Sequence, residues 1–282
     1  MTHESALDAS LLNRAAPPGS MRYFALLYTP EARRDALASV FAIDAEIRES
    51  AQSANHDVAH TRLRWWRGEV DRLVNGAAQH PATQLLQRTY SGSRDALAKL
   101  HELLVAADMD LARMTYENAR ELRVYCARSG GTVAELIAML LVPDAAGDGT
   151  MLSTANALGV GIRQAEIIRD LRQDTHDGRL YVPLQELDKH AVQPEKLSQG
   201  QIDAGAKRAL EQMKQDAQVA LGARLTDDRT HEALRPLRIL AALHRRLLDR
   251  IAARGYEVGS ERIELGPLEK PWTAWREARR SR

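Results

Sequence analysis

Apolar residues recur at three- and four-residue intervals along almost the whole chain, and the period-two alternation of half-buried strands is scarce. Thr29-Pro30-Glu31 reads as a helix start, with Thr29 as N-cap, proline in the first turn and an acid beside it. The helix that follows turns Ala36, Leu37, Val40, Phe41, Ile43 and Ile47 inward before Ser50. A second runs over residues 57–74 with Leu63, Trp66, Val70 and Leu73 inward, and His80-Pro81 breaks the chain after it. Trp65 and Trp66 are adjacent, so only one of them can face the core. The pattern predicts further helices over 81–89, 93–108, 117–129 and 132–141, then a loop of Pro, Asp and Gly at 143–149. A long helix over 150–175 comes next, then extended chain at Tyr181-Val182-Pro183, since Pro183 disfavours helix at Val182. Helices over 198–224 and 230–254 follow, the second with Pro236 near its start and Gly255 just past its end. The tail 267–282, with Trp272 and Trp275 three apart, is a short helix. These connections predict one all-α domain of antiparallel helices over 21–282, behind a flexible segment at 1–20.

Charge and composition remove several classes. The 282 residues carry a formal net charge of +1 with the signs interspersed, so there is no electrostatic case for nucleic acid. Cys126 is the single cysteine, which excludes a disulfide framework and a cysteine metal cage; a small buried hydrophobe is its plain reading. The first twenty residues lack the pattern of a secretion signal, and no apolar run reaches the roughly 18 residues of a membrane span. The stretch 134–142 is shorter and reads as a buried helix. The expectation is a cytoplasmic protein, with peripheral contact to an inner membrane left open.

The segment from Arg169 to Pro183 holds the most chemistry. On one helix Asp170 and Asp174 lie a turn apart on the same face, and Gly178 ends the helix near Asp177. Paired carboxylates suit Mg²⁺, which prefers oxygen ligands and leaves room for substrate phosphates, and the flanking Arg169, Arg172 and Arg179 suit a diphosphate. On spacing alone a plain solvated face is the commoner reading of such a pair. Upstream, the run 155–162 is rich in small residues; glycine within a helix costs about 1 kcal/mol, so Gly159 and Gly161 ask for tight packing or room for a ligand. Gly130-Gly131 is either a turn or an opening, and Asp108, Asp110, Arg113 and Tyr116 are candidates for the polar end of a cavity.

At these residues the chain resembles the squalene/phytoene synthase family, from Arg22 to Trp275. The resemblance rests on Ala155 to Gly159, Ile168-Arg169-Asp170 with Asp174, Asp177 to Pro183, Tyr125-Cys126 with Gly131-Thr132-Val133, Met109-Asp110-Leu111 with Thr115-Tyr116-Glu117, Leu63 with Trp65-Trp66-Arg67, and Gly255 to Val258. It implies an isoprenoid-synthase fold around a central cavity and Mg²⁺-dependent head-to-head joining of two prenyl diphosphates through a cyclopropyl intermediate. Asp170 and Asp174 would then hold metal, Tyr181 would act at the cavity mouth, and Arg48, Tyr125, Arg169, Arg172 and Arg179 would meet the substrate. NADPH enters only if a squalene-type reduction follows. The chain departs from the family at the first aspartate-rich motif, where Arg48 and Gln52 occupy the two aspartate positions with Glu46 and Glu49 nearby. Arg163 and Glu166 stand where the enzymes carry Gln and Asn, and they are spaced to pair with each other. This pattern is similar to a divergent branch of the family that includes the mitochondrial assembly factor of respiratory complex I. Two expectations follow: a prenyl diphosphate-binding transferase with one metal half-site eroded, or a non-catalytic factor binding a lipid or a protein.

Overall fold

A computed structural model describes residues 8–142, 147–223 and 228–280. Among these there is no strand. The first helices are α1 (Ala9–Ala15), α2 (Met21–Leu27), α3 (Glu31–Ala51), α4 (His56–Val74), α5 (Pro81–Thr89) and α6 (Leu100–Leu111). Then come α7 (Ala119–Cys126), a π-helical turn (Ala127–Gly131), α8 (Thr132–Leu141), α9 (Gly149–Arg169) and α10 (Leu171–His176). The chain closes with α11 (Leu184–Lys189), α12 (Pro194–Ser198), α13 (Ala204–Leu221), α14 (Asp228–Ala233), α15 (Arg235–Ala253) and α16 (Glu269–Ala278).

The helical period places the core as expected. Every inward position named for α3 and α4 is buried, and Trp66 is 3% exposed where Trp65 is 43% exposed. Thr29 is not the cap of α3. Pro30 takes that position without a side-chain bond, and the Thr29 hydroxyl donates instead to the Ala25 carbonyl at 2.8 Å. Part of the segment expected to be flexible is helical: Asp8 caps α1 by accepting from the Ser10 N–H at 3.1 Å, and Leu11 and Ala15 pack that helix onto α3. Residues 1–7, and most of the expected loop at 143–149, lie outside the described residues.

Helix α9 is the axis of the fold, packed by α8, α13, α15 and the π-helical turn. Its glycines answer to packing. A Cβ on Gly159 would stand 2.2 Å from the Gly130 carbonyl oxygen, and one on Gly161 would stand 2.6 Å from Leu221 of α13. The Gly130-Gly131 pair thus serves as a contact surface within a continuous helical stretch, Gly131 keeping φ −60° and ψ −47°, and is not the turn the sequence offered. Gly159→Ala should therefore destabilise the fold by about 1–3 kcal/mol despite alanine's better helix propensity; a urea melt checks it, and an unchanged midpoint would disprove the tight approach.

The helical stretch Ala119–Leu141 has 23 residues, and its most apolar 18-residue window reaches a mean hydropathy of 1.2, long and apolar enough to cross a membrane, where the sequence suggested no such run. Its most apolar window is 78% buried within the fold, as a core helix is. The predicted helix over 150–175 turns at Asp170, where φ is −95° and ψ is 9°, so α9 and α10 are separate.

Candidate functional site

A cavity of about 460 Å³ opens between α2, α3, α8, α9 and α15. Part of its lining is apolar, with Phe41, Val133, Ala134, Ile137, Ile162 and Leu240. Another part is cationic. Arg14, Arg22, Arg48, Arg169, Arg262 and Lys270 line it, against the carboxylates of Glu166 and Glu264. The buried His244 also faces it; its Nδ1 lies 2.7 Å from the Leu240 carbonyl, and burial holds its pKa below the ordinary value.

Arg48 and Glu166, two residues that the sequence set apart from the expected motifs, both line this cavity. Arg48 on α3 donates from Nε to Asp44 Oδ1 at 2.9 Å and from Nη1 to Glu166 Oε2 on α9 at 3.2 Å. Arg163, one turn before Glu166, reaches the same Oε2 at 3.4 Å, so the pair expected from spacing is formed. Asp44 is further held by Arg22. Burial alone would raise the pKa of Glu166, but Arg48, Arg163 and Arg169 outweigh it and hold the carboxyl well below the glutamate range. Asp44 is likewise held low, burial being outweighed by Arg48 and Arg22.

Behind Arg163 lies a cluster of phenols. Arg163 Nη2 donates to the Tyr125 hydroxyl at 2.8 Å. Tyr125 and Tyr181 both donate to Asp110, at 3.0 and 2.6 Å, and their rings stack 5.3 Å apart. Burial pushes both phenols above the ordinary tyrosine range, so they stay protonated donors. Cys126 is fully buried, its thiol pushed up to about 12 by burial, which suits a packing residue rather than a nucleophile.

The aspartates of the second motif are separated in role. Asp170 accepts from Arg169 Nε at 2.8 Å and Nη2 at 2.5 Å, and from Arg262 Nε at 2.8 Å. Burial opposes its ionisation, but those arginines prevail and lower its pKa. Asp174 still bonds the Asp170 carbonyl through its N–H at 2.9 Å, as the i,i+4 spacing requires. Its carboxyl is buried, however, with Arg179 3.5 Å away and Oδ2 lacking a hydrogen-bond partner among the described residues. Burial pushes its pKa up to about 6, only partly offset by Arg163 and Arg179.

The cavity lining thus includes Arg48 and Arg169 from the expected site residues; Asp170, Asp174, Tyr125 and Tyr181 are not part of it, and the two tyrosines reach it only through Arg163 and Glu166. Arg179 is engaged by Asp174 and Asp177. Arg172 points away, donating to the Ser260 carbonyl at a second cavity of about 510 Å³ that Asp170 also lines. Glu46 and Glu49, the acids left near the first motif, are paired with Arg14. Among the described residues no three His, Cys, Asp or Glu side chains converge as a metal-holding group. Arg14, Arg22, Asp44, His244, Arg262 and Lys270 were not legible as site residues, because no local spacing connects them.

Known proteins resemble this chain along most of its length. Residues 16–269 match the family profile described as squalene/phytoene synthase. The phytoene synthase of Mycobacterium bovis is 27% identical over 263 residues, covering 89% of this chain and 84% of that one. The 15-cis-phytoene synthase of Synechococcus elongatus is 26% identical over 268 residues, covering 88% and 84%. Among solved structures, a dehydrosqualene synthase bound to a ligand superposes with a TM-score of 0.80 at 16% identity, covering 95% of this chain and 94% of that one. The squalene synthase HpnC of Alicyclobacillus acidocaldarius superposes with a TM-score of 0.71 at 20% identity, covering 89% and 97%. At such identities these two speak for the fold, an all-α isoprenoid-synthase bundle; with the profile spanning most of its length, the chain belongs to the squalene/phytoene synthase family.

Proposed function

We propose that this protein holds one isoprenoid with an anionic head, a prenyl diphosphate or a close relative, and no longer couples two of them. The observation that carries the reading is the Arg48–Glu166–Arg163 network, which ties α3 to α9 across the cavity wall. At the Arg48 position the family's pattern calls for a metal-binding aspartate. A divalent cation here would meet a guanidinium in place of a carboxylate, and Glu166 is already neutralised from two sides. Mg²⁺ needs oxygen ligands free to coordinate it. Asp170 is shared by Arg169 and Arg262, and Asp174 is already faced by Arg179 at 3.5 Å. The residues present therefore do not fit the family's magnesium cluster, and the stabilisation of departing diphosphate that it supplies has no counterpart in the proposed activity.

What remains supports binding. The apolar lining residues suit a prenyl chain, and the cationic ones suit its head. Farnesyl diphosphate should raise the melting temperature of the purified protein to the same extent with EDTA as with Mg²⁺. No diphosphate should be released, with or without Mg²⁺ and NADPH. Release that is abolished in Asp170→Ala would restore the transferase reading, and the absence of any prenyl diphosphate binding would defeat the binding one. A non-catalytic role with a protein partner, as in respiratory-complex assembly, is the second reading. It is favoured by the same network, since charges locked across two helices stabilise a scaffold without needing a ligand.

A further inference from the structure

The C-terminal helix leaves one face bare. α16 is anchored by Thr273, Ala274 and Glu277, and Arg238 of α15 donates to the Glu277 carboxylate at 2.7 and 3.1 Å. The opposite side lines up Leu268, Trp272 and Trp275, which are 81%, 60% and 37% exposed. The two indoles stack 4.9 Å apart, and the Arg279 guanidinium lies 4.5 Å from the Trp275 ring centroid. Arg276 and Arg280 are exposed beside them. Nearby acids are engaged: Glu269 by Arg246 and Arg250, and Glu277 by Arg238, with Arg280 3.8 Å from its other oxygen. The bare face is aromatic along its middle and cationic toward its C-terminal end.

We propose that this face docks the protein on a lipid surface bearing anionic head groups. Indoles combine an apolar body with a polar N–H and settle at the boundary between head groups and acyl chains. Arginines at the same level are attracted to anionic lipid. The charge argues against a second copy of the chain as occupant. In a two-fold interface through this face Arg276, Arg279 and Arg280 would meet either their own counterparts or the other end of the helix, whose Glu269 is already engaged by Arg246 and Arg250. The position gives the docking a purpose, which rests on the proposed ligand: Lys270 of the same helix lines the cavity, so the rim would lie beside the reservoir of a prenyl lipid.

The test is co-sedimentation of the full chain with vesicles of phosphatidylcholine alone and of phosphatidylcholine mixed with phosphatidylglycerol, followed also by tryptophan emission. Binding to the mixed vesicles with a blue shift is expected, and added salt should weaken it. Trp272→Ser with Trp275→Ser should lower the partition coefficient roughly tenfold or more. Arg276→Ser with Arg279→Ser should weaken binding to the anionic vesicles while the melting temperature stays unchanged, which covers the case of a tryptophan variant that folds poorly. The idea fails if the chain ignores mixed vesicles, if both variants bind as the parent does, or if the parent instead forms a dimer that the tryptophan variant abolishes. Farnesyl diphosphate binding in detergent-free solution, measured on the same variants, separates the two proposals: it should persist in both, and its absence from the parent would defeat the cavity reading alone.

Discussion

Glu166→Ala should destabilise this protein by about 3–5 kcal/mol, the range for removing one partner of a buried ion pair. The magnitude follows from its connections. One Glu166 oxygen faces both Arg48 and Arg163, and the side chain is 14% exposed. Without it Arg163 keeps only phenolic partners, and Arg48 must rely on Asp44, which Arg22 already shares. Arg48→Ala should be milder, because Asp44 retains Arg22 and Glu166 retains Arg163. Replacing Arg163 by Gln together with Glu166 by Asn removes opposite charges at once and should recover much of the loss, a non-additivity expected of contacting residues. Denaturant melts of the three variants decide it, and a loss below about 1 kcal/mol for Glu166→Ala would show the network to be no more than a surface pair. Because the Glu166 pKa is lowered in the folded state, its contribution is complete above the ordinary glutamate range and is lost only in acid.

Asp174→Asn should act in the opposite direction and depend on pH. The folded-state pKa of Asp174 is raised from 3.8 to about 6, so the folded protein binds this proton more tightly than the unfolded chain does. Stability from that proton is present in full below pH 4 and falls away as the pH climbs to about 6. Above that, the ionised carboxylate burdens the fold by roughly 3 kcal/mol, the equivalent of a shift of about two units. Asparagine has no charge to bury. The variant should match or fall slightly below the parent near pH 4 and exceed it at pH 8, the difference growing through pH 6. Urea melts across that range provide the measurement, and a difference that does not change with pH would contradict the buried, under-partnered carboxyl seen here. A metal held at Asp174 would also reverse the result, since the parent would then gain stability from added Mg²⁺ and the variant would not.

Both variants address features that were partly legible beforehand. The inward positions of α3 and α4 followed from a period of about 3.6 residues, because burial of a helix face is decided by neighbours three and four apart. The bounds of α5 and α8 followed from proline and glycine punctuation. The short α11 and α12 were missed, since six and five residues are too few to display a period. The break at Asp170 was missed too, because nothing in its neighbouring side chains disfavours helix. In the site, Arg48, Arg163 and Glu166 stood out singly as departures from a family pattern, and Asp170 and Asp174 as a pair on one face. The spacing of that pair was right at the backbone, yet it said nothing of the two arginines on one carboxylate or of the burial of the other.

What the sequence determined by itself is the all-α bundle and the family, because helix periodicity, caps and motif order are local properties that survive at every position independently. What only the tertiary structure decided is the fate of the charges. Arg48 and Glu166 are 118 residues apart in the chain and 3.2 Å apart in space. Arg262 reaches Asp170 across 92 residues. Whether a carboxylate is free for a metal, neutralised by a guanidinium or protonated depends on which groups share its few ångströms of low-dielectric surroundings, and packing alone sets that.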